Sequence, residues 1–208
     1  IQHNPTPSEG RGGYKATTGK GNAHVNPNRD RQHGRIYRLI WDKAPKSTIT
    51  SLESATPAEL VAALGHHNQF WRLAAQRLLV DKIQPPATDS LKALKEKVSQ
   101  PGIGSIHALW TLHGLGHLDD DTHRAALLST DPVLRRNATR ALSFDEKGGR
   151  LLFQSGVIND PDLTTRLAAF VALAQFPTSD PLKNAITSLA KNGENLSDRL
   201  LKAALEAA

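Results

Sequence analysis

One eight-residue pattern recurs four times without a gap and constrains the fold more than any other feature. Arg72-Leu73-Ala74-Ala75-Gln76-Arg77-Leu78-Leu79, Ser105 to Leu112, Arg135 to Leu142 and Arg166 to Leu173 align with a shared alanine at 75, 108, 138 and 169. A shared leucine follows at 79, 112, 142 and 173, so the spacing is 30 to 33 residues. Alanine and leucine four residues apart lie on one face of a helix, the small side chain letting a neighbouring helix approach and the large one filling the space between layers. A period of that length accommodates two helices and their turns, and such units bury a core only by stacking on their neighbours.

The fold class this predicts is all-α: a HEAT-like solenoid of about five helix pairs over 48–208, preceded by an irregular segment with one β-strand. The partner helices are expected at 57–65, 88–99, 120–129, 147–158 and 179–191, with a last helix from Leu196 to the end whose register with the repeat is poor. Gly148, Gly149 and Gly156 all oppose a helix over 147–158. Asp131-Pro132 and Asp160-Pro161 stand ahead of two repeat helices, where aspartate caps free N–H groups and proline fits the first helical position. Trp71 and Trp110 fall on repeat helices and are expected in the core.

Residues 1–47 differ in character. They are rich in Gly, Pro, Asn, Arg and His, and hold nine basic residues against three acidic ones. The rest of the chain holds 17 of each sign, so the whole net charge of +6 belongs to the entry segment. Its one apolar run, Arg35 to Trp41, partly alternates apolar and basic residues and reads as a β-strand whose partners lie elsewhere. The chain begins at Ile1 and contains no methionine, and the expectation is a piece of a larger protein. No run approaches the roughly 18 apolar residues of a membrane-spanning helix. With no cysteine, the chain offers no disulfide, no thiolate nucleophile and no CxxCH attachment for haem c.

Four stretches carry a resemblance: His3-Asn4-Pro5-Thr6-Pro7; Gly19-Lys20-Gly21-Asn22-Ala23; Arg29-Asp30-Arg31-Gln32-His33-Gly34-Arg35-Ile36-Tyr37-Arg38; and His107-Ala108-Leu109-Trp110-Thr111-Leu112-His113-Gly114-Leu115-Gly116. They resemble large secreted bacterial proteins in which a sorbosone-dehydrogenase-like β-propeller runs into HEAT repeats and then a c-type cytochrome domain. These are known as membrane-bound dehydrogenases or haem-binding CxxCH proteins. The resemblance covers about the first 120 residues with specific motifs. It implies that 1–47 is the tail of the propeller and that the location is periplasmic or secreted. It also implies a parent that is a PQQ-type sugar dehydrogenase with haem c and with PQQ or calcium, the partners of the repeats being the upstream propeller and a downstream cytochrome domain or another protein. Neither the propeller body nor the CxxCH motif is in this sequence, so no cofactor is assigned to this chain.

The candidate sites are few. Arg29, Asp30, His33 and Arg35 form the densest polar group and are the candidate binding residues, with Arg–carboxylate forks that fix the loop's shape as the preferred alternative. His113 and His117 have the spacing of helical metal ligands, but glycines fall between them and no HExxH glutamate accompanies them, so closure of a helix C-terminus competes with metal binding. His66-His67 follows another helix end. Asp119-Asp120-Asp121 reads as N-terminal capping in preference to calcium. The glycines at 10–13 and 19–21 match no phosphate-loop pattern. No nucleotide fingerprint, activated nucleophile or paired-carboxylate signature occurs, so no catalytic residue is named and enzymatic activity is left open. The function expected is a helical-repeat scaffold for protein interaction within a cytochrome-linked electron-transfer protein. Nucleic-acid binding is the alternative, motivated by Arg72, Arg135 and Arg166 at one repeat position.

Overall fold

The computed structural model describes residues 41–43, 51–82 and 85–208. The chain divides into two units, Ile1–Thr48 and Ile49–Ala208, and the second is the one described below. The expected strand lies outside the described residues except for Trp41, which is exposed and belongs to no helix or strand.

Among the described residues eleven α-helices alternate in two layers. The first layer holds α1 (Pro57–Ala63), α3 (Thr88–Val98), α5 (Asp120–Leu127), α7 (Glu146–Ser155) and α9 (Asp180–Leu189). The second holds α2 (Gln69–Asp81), α4 (Ile103–Gly114), α6 (Pro132–Arg140), α8 (Leu163–Leu173) and α11 (Arg199–Ala207), with the short α10 (Gly193–Ser197) leading into α11. Within the second layer α2 packs on α4, α4 on α6, α6 on α8 and α8 on α11, while α1, α3, α5 and α7 follow one another in the first. No strand occurs among the described residues. This is an all-α helical-repeat stack, as the 30–33-residue period predicts.

The repeat positions are the core. Ala75, Ala108, Ala138 and Ala169 have no exposed surface, and the four paired leucines are buried with them. Phe170 and Leu152 fill the layers between later pairs. In the last pair the register is kept at 32 residues, with Leu201 at the alanine position and Leu205 at the leucine position, both buried. The expected poor register was a substitution of large for small. The last helix is also interrupted: Asp198 is extended and caps α11 through Leu200 and Leu201 N–H, so the continuous helix expected from Leu196 is two pieces.

Caps set the boundaries. Thr56 and Glu59 form a reciprocal capping box ahead of α1, with Pro57 in the first turn. Asp131 caps α6 as expected, accepting from Val133 N–H at 2.8 Å. The Asp160-Pro161 expectation is corrected: Asp162, two residues later, caps α8 by accepting from Thr165 N–H at 2.8 Å. Asp160 is buried and does something else, described below. The helix expected over 147–158 ends at Ser155, because Gly156 turns left-handed at φ 72° and Val157–Asn159 form a 3-10 turn. Gly148 is present because the turn before α7 passes so close that a Cβ there would collide with the carbonyl of Ser143.

Candidate interaction face

The second-layer helices present the candidate site, and their arginines decide its character. Arg72, Arg135 and Arg166 each reach back to the carbonyl six residues earlier: to His66 O at 2.7 Å, to Ser129 O at 2.8 Å and to Asp160 O at 2.9 Å. Their remaining nitrogens cross to the next pair. Arg72 Nε donates to His107 Nε2 at 3.1 Å; Arg135 forks onto both Asp160 carboxylate oxygens at 2.7 Å; Arg166 Nη1 donates to Glu194 at 2.6 Å and to buried Asn195 at 3.0 Å. A planar guanidinium suits this, since it serves two directions at once. The three arginines are therefore rungs between repeats.

His107 is fixed in one tautomer by this ladder. Its Nε2 accepts from Arg72, so Nδ1 carries the proton and donates to Gln76 Oε1 at 2.8 Å. Burial, then the Arg72 charge, lower its pKa below the usual 6.5. His123, on α5, donates from Nε2 at 2.7 Å to the carbonyl of Ala138 near the end of α6, which also accepts from Ala141 N–H at 3.2 Å. Burial lowers its pKa below 6.5 as well, against the Ala138 bond. Both imidazoles take up a proton more readily in the unfolded chain than in the folded one, so stability falls as pH drops through 6.5 toward the folded values. The expected result is a melting temperature that declines between pH 7.5 and 5.5, with His107 and His123 ring resonances titrating below 6.5 in NMR; titration of both at or above 6.5 would contradict it.

On the first-layer side the acidic triplet performs capping and bridging. Asp119 caps α5 through Thr122 N–H at 2.8 Å and meets Lys95 of α3 at 2.6 Å. Burial opposes its ionisation, but Lys95 and Thr122 outweigh that and hold its pKa down at about 2. Asp120 pairs with Lys147 of α7 at 2.5 Å, and Asp121 with Arg124 at 3.8 Å. The triplet therefore serves as the helix cap and as bridges from α5 to α3 and α7.

A helix end falls between the two candidate metal ligands, His113 and His117. α4 ends at Gly114, Gly116 turns left-handed at φ 70°, and His117 N–H closes onto Leu112 O at 2.9 Å while Gly116 N–H closes onto His113 O at 3.0 Å. This double closure is the left-handed helix stop that glycine favours, so His117 is past the helix and not one turn above His113. His113 stands edge-on to Trp110 with ring centroids 5.3 Å apart. Among the described residues no group of three or more His, Asp or Glu is placed to hold a metal ion. His66 and His67 stack on each other at 4.2 Å and give their carbonyls to Arg72. Arg29, Asp30, His33 and Arg35 and the two glycine clusters lie outside the described residues.

The face left for solvent is apolar in a regular way. Phe70 and Leu73 on α2, Ile103 on α4, Val133 on α6 and Leu163 and Val171 on α8 are all exposed, Phe70 by 65%. Trp71 and Trp110, expected in the core, are half-buried on this layer instead, and Trp110 Nε1 donates to Asn137 Oδ1 at 2.9 Å. Two grooves open here: one along α2 with Leu52, Phe70, Leu73 and Arg77, of about 710 Å³, and one between α6 and α8 with Arg136, Arg140, Phe144 and Val171, of about 600 Å³. The sequence signal for this face lies in the repeat: the residue two before Arg72, Ser105, Arg135 and Arg166 is Phe70, Ile103, Val133 and Thr164, apolar and exposed in three of four copies, where a solvent face calls for polar residues. Comparison with protein-family models, with curated proteins and with solved structures gives no match for this chain.

Proposed function

We propose that the helical stack is a protein-interaction scaffold, working through the outer face of its second-layer helices. The observation that carries this is the recurrence of exposed apolar side chains on successive second-layer helices, at Phe70, Leu73, Ile103, Val133 and Val171. Single exposed apolar residues need no explanation, but their recurrence on successive helices of one layer is what a binding surface requires. The sequence resemblance supplies the setting: a spacer in a secreted, sugar-dehydrogenase-like parent, between its β-propeller and its c-type cytochrome domain, with haem c and PQQ or calcium held elsewhere in that parent.

The nucleic-acid alternative rested on Arg72, Arg135 and Arg166, and all three are engaged between repeats. A neutral charge balance beyond residue 47 also leaves little to hold a phosphate backbone. The test is photo-crosslinking in cells that make the protein, with p-benzoylphenylalanine in place of Leu73, Trp110 or Val171 and, on the other layer, Lys92 or Lys183. Adducts with a haem protein or a propeller protein are expected from the first three positions alone. Equal labelling from both layers, or adducts with nucleic acid, would overturn the proposal.

A further inference from the structure

We propose that the groove between α6 and α8 takes an acidic amphipathic peptide segment of a partner protein; this rests on the interaction reading above and names the chemistry of one ligand. Leu167, Ala168, Val171 and Ala172 of α8 give the groove an aliphatic surface, and Phe144 supplies one aromatic wall. Val171 is 49% exposed and Phe144 40%, so the groove is an open trough and not a chamber that would enclose a small molecule.

Charge selects the occupant. The residues lining the groove include two arginines, Arg136 and Arg140, and no carboxylate. Arg136 donates to Thr164 Oγ1 at 2.6 Å, which holds its guanidinium beside the start of α8. Arg140 is exposed and makes no hydrogen bond or ion pair among the described residues. Asp162, the acid at that end, already accepts from the Thr164 hydroxyl and from both the N–H and hydroxyl of Thr165. The cations are one helical turn apart on α6, the spacing at which acidic residues one turn apart on a second helix can meet them. An apolar stripe flanked by such acids matches the trough, as in helix-in-groove recognition.

Nucleic acid fits less well. It requires a continuous track of cations and free stacking faces, whereas the one aromatic here is already edge-on to Phe176 with centroids 5.5 Å apart.

The experiment is a fluorescence-anisotropy titration of the full chain at physiological salt. The probes are a labelled Leu/Glu amphipathic peptide of about four helical turns, its Leu/Lys counterpart, and a single-stranded DNA of similar length. The Leu/Glu peptide is expected to bind about tenfold more tightly than the Leu/Lys peptide. Arg140→Glu should weaken the Leu/Glu peptide about tenfold and strengthen the Leu/Lys peptide. Val171→Asp should weaken the Leu/Glu peptide, and Lys183→Glu on the other layer should change nothing. Thermal unfolding followed by circular dichroism shows that each variant is folded. Equal affinity for the two peptides, indifference to Arg140→Glu and Val171→Asp, or tighter binding of the DNA would overturn the proposal. If it fails while crosslinks from positions 73, 110 and 171 persist, the scaffold reading stands and only this occupant falls.

Discussion

Replacing Asp160 by alanine is expected to destabilise the stack by about 3 kcal/mol, the scale on which removing one partner of a buried ion pair acts. Asp160 is 5% exposed and joins two successive rungs, its carboxylate taking the fork from Arg135 and its carbonyl taking Nε of Arg166. It also accepts from Asp162 N–H at 2.9 Å, which shapes the entry to α8. The alanine variant leaves a partly buried guanidinium, its side chain 15% exposed, without its acid. For a body of this size the melting temperature should fall by roughly 2–4 °C per kcal/mol. Because each pair in a repeat stack contacts mainly its neighbours, amide exchange should accelerate in α8 to α11 before α1 to α3. The double variant Arg135→Met with Asp160→Leu, which removes both charges, should regain most of the loss. No recovery in the double variant, or a loss below about 1 kcal/mol in the single one, would mean that the fork contributes no more than a surface pair.

Gly148→Ala is expected to destabilise although helix propensity alone predicts a gain of about 1 kcal/mol. A Cβ at Gly148 would overlap the carbonyl oxygen of Ser143 and sit 2.8 Å from its carbonyl carbon. Relief requires moving the Ser143–Asp145 turn. That turn holds the cap of α7, since Asp145 accepts from Gly148 N–H at 2.9 Å and from the Ser143 hydroxyl at 2.8 Å. The net cost should reach about 2–3 kcal/mol, the upper part of the range for overpacking. Gly149→Ala, one residue on, should behave in the opposite way: its Cβ would meet only Phe176, at an ordinary 3.7 Å, and stability should rise by up to about 1 kcal/mol. Equal effects of the two substitutions, measured by thermal or urea unfolding, would refute the close approach.

These two residues also show how far the sequence reaches. Alanine and leucine four apart at a 30–33-residue period depend only on helical geometry, so they declare the all-α stack, its pairing and its core positions directly. Asp131 before Pro132 and Thr56 before Pro57 cap helices through bonds spanning two or three residues, and these too can be read along the chain. The last pair kept its register but hid it, because Leu201 stands where the other copies have alanine. The partners of the repeat arginines could not be read. Asp160, His107 and Glu194 lie 25 to 35 residues from the arginines they bind, and only the stacking of one pair on the next brings them within reach.

Glycine shows the same division. Sequence assigns Gly148 a helix-breaking tendency, an average over all environments; the tertiary fold assigns it the absence of a Cβ at one close approach. His113 and His117 had ligand spacing in the sequence, and a left-handed turn at Gly116 removed the helix that would have aligned them. Local periodicity thus determined the architecture of this protein, because helix spacing is a property of neighbouring residues. The arginine ladder, the two neutral histidines and the apolar outer face were decided by the packing of layers, because burial and partnership exist only once distant segments meet.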